Sequence, residues 1–321
     1  MRGGYDPAMD RSEFDTAPTR ILMHDPGHGP ALADVRSEHL ARSNFLAVPA
    51  ADGFHSQYDA FCRKLSRHVE IVTLESLLGD DPDYRREAAS NPNLMFTRDS
   101  SLTLPWAPDI FVPARLKLAG RVGEAPLVAR ALGKLGMKPA FTFDDDEYCE
   151  GGDVLPAMDG GKRILLIGFG VRTSKAAAIR LALELIPTHV DQIIGLSHDP
   201  DLLHLDTGFT VLPNRVMFAA AGMFHSGFLI DEERRLHSID PIAHAQAMGF
   251  SIVTCDKADA IAHERCNMLP LGGGRYIAFS MPAKLRAELE AKAGIRITCL
   301  DGSEIAKATG GVHCLTRPIY R

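Results

Sequence analysis

The chain contains no Cys-x-x-Cys pair. Its six cysteines, Cys62, Cys149, Cys255, Cys266, Cys299 and Cys314, therefore do not indicate a zinc ribbon or a thioredoxin-type redox site. Six cysteines in 321 residues are also too few for a disulfide scaffold. No apolar run approaches the roughly 20 residues that a membrane helix needs. Residues 1–19 are polar and lack the apolar stretch of a secretory signal. No membrane is expected as a partner, and the cytoplasm is the expected compartment. Basic residues are outnumbered, 35 Lys and Arg against 41 Asp and Glu, for a net charge of −6. That balance gives no reason to expect nucleic acid, which favours a basic stripe. It suits a cationic small substrate, although many enzymes of neutral substrates carry a similar charge.

What is present is material for a large core. With 45% hydrophobic residues over 321 positions, the chain can bury one large core or two ordinary ones. Arg20 to His24 reads as a first strand, closed by a turn over Asp25 to Pro30. Val69 to Leu74 reads as another strand. Arg163 to Gly168 and Val216 to Ala220 read as buried strands. Helical spacing of apolar residues runs over 56–68 and 124–136, and 174–186, 241–248 and 283–293 read as further helical stretches. Strand and helix alternate to the end, so the class is α/β. No linker divides the chain. The expected organisation is a loose tail at 1–19 and one domain at 20–321.

Four polar clusters stand out. In Gly310-Gly-Val-His-Cys-Leu-Thr316 a cysteine follows two glycines, where backbone can approach a ligand closely. A neighbouring His313 could help lower the Cys314 pKa. A cysteine taken at random is more often a small buried hydrophobe, and the other five are read that way. In His204-Leu-Asp206, an extended strand would put positions i and i+2 on one face. A surface strand and a metal site are the other readings. In Glu150-Gly-Gly-Asp153 two acids flank a tight Gly-Gly turn, which argues against phosphate and would hold a cation if buried; a plain acidic turn is the alternative. In Asn91-Pro-Asn-Leu-Met-Phe-Thr-Arg-Asp99, Arg98 and Asp99 follow an apolar run, as a structural salt bridge would. The spacing is regular: 51 residues from Asp99 to Glu150, 54 from Glu150 to His204, and 110, twice 55, from His204 to Cys314. Such a step suggests repeated units, each delivering one reactive side chain to a common centre.

Taken together and in this order, the four clusters resemble those of the guanidino-group-modifying enzymes, over about Ile21 to Arg321. The superfamily includes arginine deiminase, dimethylarginine hydrolase, agmatine deiminase and the amidinotransferases. Pro92 to Asp99, Leu203-His-Leu-Asp-Thr207 and Phe169 to Ser174 look most like arginine deiminase. The resemblance implies a five-bladed α/β propeller with pseudo-fivefold symmetry, a pentein. It implies a thiol nucleophile at Cys314, an acid/base at His204 and a carboxylate beside it at Glu150. It assigns Asp99 and Asp206 to the guanidinium, Asn93 and Arg172 to the amino-acid end of the substrate, and Asp153 to the substrate-binding set, with no metal and no cofactor. Thr309 departs from the pattern: arginine deiminase carries an Arg five residues before its cysteine. The nearest base here is Lys307, and there is no room for the inserted helical region typical of that enzyme. The expected activity is hydrolysis of a guanidino compound through a thiouronium on Cys314. Amidino transfer to an amine, or a dihydrolase giving ornithine, would use the same residues. A metallohydrolase on His204, Asp206, Glu150 and Asp153 is the rival from another class. Homo-oligomerisation is left open.

Overall fold

Arg20–Met23 (β1), Ala107–Pro113 (β4), Lys162–Phe169 (β7), Val216–Ala220 (β10) and Arg275–Phe279 (β15) are the central strands of five sheets. They appear in a computed structural model describing residues 12–27, 32 and 35–321. Each is rich in β-branched, aromatic or long aliphatic residues, which suit a pleated buried surface. Each also has the same two neighbours. On one side lies an antiparallel strand: Arg317–Ile319 (β17) for β1, Ser101–Leu104 (β3) for β4, Val154–Asp159 (β6) for β7, Phe209–Leu212 (β9) for β10 and Leu269–Pro270 (β14) for β15. On the other side lies a parallel strand: Glu70–Thr73 (β2), Lys138–Pro139 (β5), Gln192–His198 (β8), Ser251–Cys255 (β13) and Arg296–Leu300 (β16), in the same order.

The connections follow from this pairing. Antiparallel partners can be joined by a tight turn, whereas parallel ones need a long crossover. Between β6 and β7 the turn residues Gly160 and Gly161 have φ of 57° and 82°, the left-handed pair that a two-residue hairpin turn favours. The crossovers contain the helices Ala51–Leu65 (α1), Glu124–Lys134 (α2), Lys175–Leu185 (α3), Pro241–Ala247 (α4) and Ala283–Ala293 (α5). In α1 the buried residues Phe54, Tyr58, Phe61 and Leu65 fall on one helical stripe, and each stabilises the fold by about 1.5–3 kcal/mol through burial. The Ser174 hydroxyl caps α3 and the Asp240 carboxylate caps α4, satisfying amides that the first turn leaves unpaired. A hairpin of Phe224–Ile230 (β11) and Leu236–Ile239 (β12) widens the third sheet to five strands. The last strand of the chain, β17, pairs with the first, β1.

This repeated order places the functional loops. The segment just before the first strand of each unit holds, in turn, Asp99, Glu150 to Asp153, His204 to Asp206, Glu264 to Asn267, and Cys314.

Two sequence expectations change. Residues 12–14 do not belong to a loose tail: Ser12, Glu13 and Phe14 are buried, and the Glu13 amide bonds the Pro156 carbonyl at 3.1 Å. Residues 1–11, and Gly29 to Pro30 with His28 of the expected turn, lie outside the described residues. His204 to Asp206 is not a strand. His204 is the extended N-cap of a one-turn helix, Leu205–Gly208, so His204 and Asp206 reach the interior from a helix start. The five expected helices are present, with ends shifted by a few residues, as fraying ends allow.

Candidate active site

Cys314 is held by one amide. The Asn267 Nδ2 donates to Cys314 Sγ at 3.0 Å, while its Oδ1 accepts the backbone N–H groups of His313 and Cys314 at 2.8 and 3.2 Å. The preceding glycines are required by close approach. A Cβ on Gly310 would lie 2.3 Å from the Phe96 ring, and one on Gly311 2.6 Å from Asn267 Oδ1. The thiol points toward Asp206 Oδ2 at 3.6 Å. That oxygen also meets His313 Nδ1 at 2.7 Å, and His313 Nε2 faces Glu13 Oε1 at 3.2 Å. Both ring nitrogens of His313 thus serve carboxylates, and the expectation that it lowers the Cys314 pKa is not met. Burial, reinforced by the charges of Asp206, Asp99 and Glu264, pushes the thiol well above its usual range. Glu13 closes this side by pairing with the buried Arg98. Burial raises the Glu13 pKa, but Arg98 and His313 outweigh it and hold the carboxyl at about 2.

His204 occupies the other side. Its Nε2 bonds Glu150 Oε2 at 2.7 Å and its Nδ1 lies 3.5 Å from Asp99 Oδ1. Burial lowers its pKa, yet Asp99, the Glu150 hydrogen bond and Asp153 raise it to about 9, so the imidazole is a cation at neutral pH. Glu150 is the counterpart. Burial raises it, and His204, Arg121 and Arg172 bring it down to about 2. Its Oε1 accepts the Lys117 amide at 3.0 Å, and Arg172 Nη1 approaches Oε2 at 3.3 Å. Asp153 anchors the loop below: its Oδ1 accepts the Leu205 amide at 2.8 Å and faces His198 Nε2 at 3.2 Å. Gly152 forms the floor, since a Cβ there would come within 2.8 Å of both Asp99 Oδ1 and His204 Nδ1.

Asp99, Glu150 and His204 offer ligand atoms within 4.8 Å of one another, the one metal-like group among the described residues. A cation already sits among them. Arg121 Nη1 is 2.9 Å from Asp99 Oδ2 and 3.9 Å from Glu150 Oε2, and the same guanidinium grips Glu124 at 2.7 and 2.8 Å. The four residues of the metallohydrolase reading are not gathered at one point: Asp206 stands with Cys314 and His313, and Asp153 with His198.

Of the residues singled out by sequence, Cys314 and Asp206 meet, and Asp99, Glu150, His204 and Arg172 form one linked set. Asn93 is buried on the 3-10 turn Pro92–Met95. Thr309 has a left-handed φ of 59° and donates to the Asn44 carbonyl at 2.6 Å, while Lys307 is paired with Glu304 at 2.7 Å. Asn267, Glu264 and Arg121 were missed. The signal for the first two was the double step from His204 to Cys314: Asn267 divides it into 63 and 47 residues. Arg121 had no such signal, because its role depends on a loop between β4 and α2 folding back onto Asp99 and Glu124.

Three carboxyls bear electrostatically on Cys314, namely Asp206, Asp99 and Glu264. Each has one buried oxygen without a hydrogen-bond partner: Asp206 Oδ1, Asp99 Oδ1 and Glu264 Oε2. Orphaned buried acceptors are costly unless a ligand fills them. A neutral thiol, a cationic histidine and these acceptors suit a planar cation with several N–H groups, and the chain belongs to the guanidino-group-modifying superfamily.

It belongs to the arginine deiminase family, whose model matches residues 82–321. The arginine deiminase of Mycobacterium marinum is 31% identical over 274 residues, covering 78% of this chain and 65% of that protein. That of Mycobacterium tuberculosis is 29% identical over 254 residues, covering 72% and 61%. The chain therefore spans slightly under two thirds of the curated relatives it matches. In fold it is similar to the N-terminal domain of ArgZ, an arginine dihydrolase from cyanobacteria, with a TM-score of 0.70 at 20% identity over 94% of this chain and 97% of that one. A dimethylarginine dimethylaminohydrolase gives 0.64 at 19% identity, covering 94% and 99%. The fold is thus an α/β fold of the pentein type. No helix among the described residues is long and apolar enough to cross a membrane.

Proposed function

We propose that the protein hydrolyses the guanidino group of arginine or a related compound through a covalent adduct on Cys314, and that its five similar sheets close around the site as a five-bladed propeller. The observation that carries the reading is the set of buried carboxyl oxygens without a hydrogen-bond partner near a thiol that burial and acidic neighbours keep neutral. Asp99 Oδ1 and Asp206 Oδ1 accept N–H bonds from the guanidinium. Its positive charge offsets the acids that hold the proton on Cys314, so the thiol ionises only when substrate is present, its proton passing to bulk water. The thiolate attacks the central carbon. His204, already protonated, gives its proton to the departing amine, leaving a thiouronium on sulfur. Neutral His204 then takes a proton from water, the hydroxide adds to the same carbon, and the thiolate leaves with a ureido product released. Glu150 orients His204 and stabilises its cation, Asp153 positions the His204 loop, and Arg172 and Asn93 are assigned to the substrate tail.

The test is a panel of guanidino compounds, with ammonia, methylamines and ureido product followed by mass spectrometry. Ureido product from wild type and none from Cys314→Ala, with turnover surviving a strong chelator, is the expected result. Ornithine from arginine would indicate a dihydrolase, and guanidination of added glycine an amidinotransferase. Full turnover by Cys314→Ser on every compound would refute the reading.

A further inference from the structure

Glu264 is a buried carboxyl that this mechanism leaves unused. It ends the helix Lys257–His263, is 1% exposed, and has a φ of 51° in the left-handed region. For a residue with a Cβ that conformation costs on the order of 1–3 kcal/mol and tends to mark functional sites. Three residues on, Asn267 clamps the Cys314 thiol. Glu264 Oε2 is buried and has no partner. Glu13 and Asp153 also carry an orphaned oxygen, but only Asp206, Asp99 and Glu264 are the acids whose charges act on Cys314. Three independent features therefore converge on one side chain, three residues from the Asn267 that holds the thiol: its burial, its strained backbone and its buried oxygen without a hydrogen-bond partner.

We propose that Glu264 is a third carboxyl of the guanidinium pocket, accepting a substrate N–H together with Asp99 Oδ1 and Asp206 Oδ1, and that it sets substrate affinity. The proposal rests on the guanidino reading above. An alkylguanidinium presents five N–H donors, more than two aspartate oxygens can accept one by one. Burial and the neighbouring Asp206 and Asp99 push the Glu264 pKa well above the usual carboxylate range, with His204 pulling the other way; the Cys314 thiol is the other titratable neighbour. An arriving cation reverses that balance. The Glu264 proton leaves to bulk water as the guanidinium binds, and no bond to carbon changes in this step.

Calorimetry of arginine and of methylguanidinium binding to Cys314→Ser, in two buffers of different ionisation enthalpy, reads that proton. The expected result is release of about one proton per ligand near neutral pH, lost in Cys314→Ser/Glu264→Gln together with about tenfold or more in affinity. In otherwise wild-type enzyme, Glu264→Gln should raise KM about tenfold with a smaller change in kcat. Thermal melting checks the fold. Glu264→Gly serves as the second variant, because glycine accepts the left-handed backbone without strain. If wild type turns substrate over while both variants keep its KM and the proton count is unchanged, Glu264 is structural only and the proposal fails. If no guanidino compound binds Cys314→Ser, the functional reading itself fails and this inference falls with it.

Discussion

Both halves of the site have their pKa raised by nearby acids, Asp99 in common, with opposite consequences for charge. Around His204, Asp99 and Glu150 raise the pKa to about 9 and so create a cation in the resting protein. Around Cys314, burial together with Asp206, Asp99 and Glu264 also raises the pKa, and there the result is a neutral, unreactive thiol. A carboxylate stabilises whichever form of its neighbour carries more positive charge. The acid partner is therefore charged before substrate arrives, and the nucleophile only afterwards. The two halves also differ in closure. On the His204 side Glu150 has both oxygens engaged, by Lys117, His204 and Arg172. On the Cys314 side acceptor oxygens are left for the ligand.

The contrast can be broken most severely at the nucleophile. Cys314→Ala should lower turnover by about 10⁴-fold or more with an unchanged melting temperature, and rates near wild type would refute the covalent route. On the other half, Glu150→Gln should cost about 10²–10⁴ in kcat, the usual worth of a positioned acid/base, with KM little changed. A steady-state assay showing a pure KM effect would place Glu150 in binding instead.

Stability should follow the same division. Glu13 and Glu150 are held at about 2 against an ordinary 4.5, so their contribution is fully present above pH 4.5 and is lost as pH falls through 2. His204 is held at about 9 against 6.5, so its contribution is present below pH 6.5 and is lost as pH rises through 9. Denaturant titrations should find these contributions together between pH 4.5 and 6.5. Glu13→Gln should remove about 3 kcal/mol at neutral pH, the worth of its depressed pKa, and flatten the acid limb. A variant as stable as wild type would show that Arg98 finds another partner.

A smaller effect is expected at Asn267, which orients the thiol without carrying charge. Asn267→Ala should lower kcat about ten- to a hundredfold, as loss of one orienting hydrogen bond to a charged group of about 1.5–3 kcal/mol allows, while Asn267→Asp should be worse because a fourth acid would face the thiol. The gentlest test is spectroscopic. Thiolate absorbance should be absent from the free enzyme at neutral pH and appear on adding an unreactive guanidinium analogue; a thiolate band in the free enzyme would remove the substrate-triggered step.

Much of this was legible from the chain alone, because it depends on local chemistry. Strands such as Val216–Ala220 and helices such as Glu124–Lys134 announce themselves by an apolar run or an apolar period and by the breakers around them. The even steps between Asp99, Glu150, His204 and Cys314 reflect one unit used repeatedly, each time presenting the loop before its first strand. Where a residue's state depends on partners distant in sequence, the reading failed. His313 is beside Cys314 in the chain, yet it serves Asp206 and Glu13. Residues 12–14 look like a tail, yet Glu13 neutralises Arg98, 85 residues away. His204 to Asp206 looks extended, yet a one-turn helix, anchored by Asp153, aims them.

The sequence by itself determined that this is an α/β chain with a cysteine, a histidine and several acids delivered at regular intervals, because period, turn residues and motif order are one-dimensional properties. Only the tertiary structure decided what those groups are electrically. Burial removes water, so each pKa is set by whichever charges the fold brings within a few ångströms. The fold gave His204 two carboxylates and made it a cation. It buried Cys314 near three carboxyls, and so kept the thiol neutral until a cation arrives.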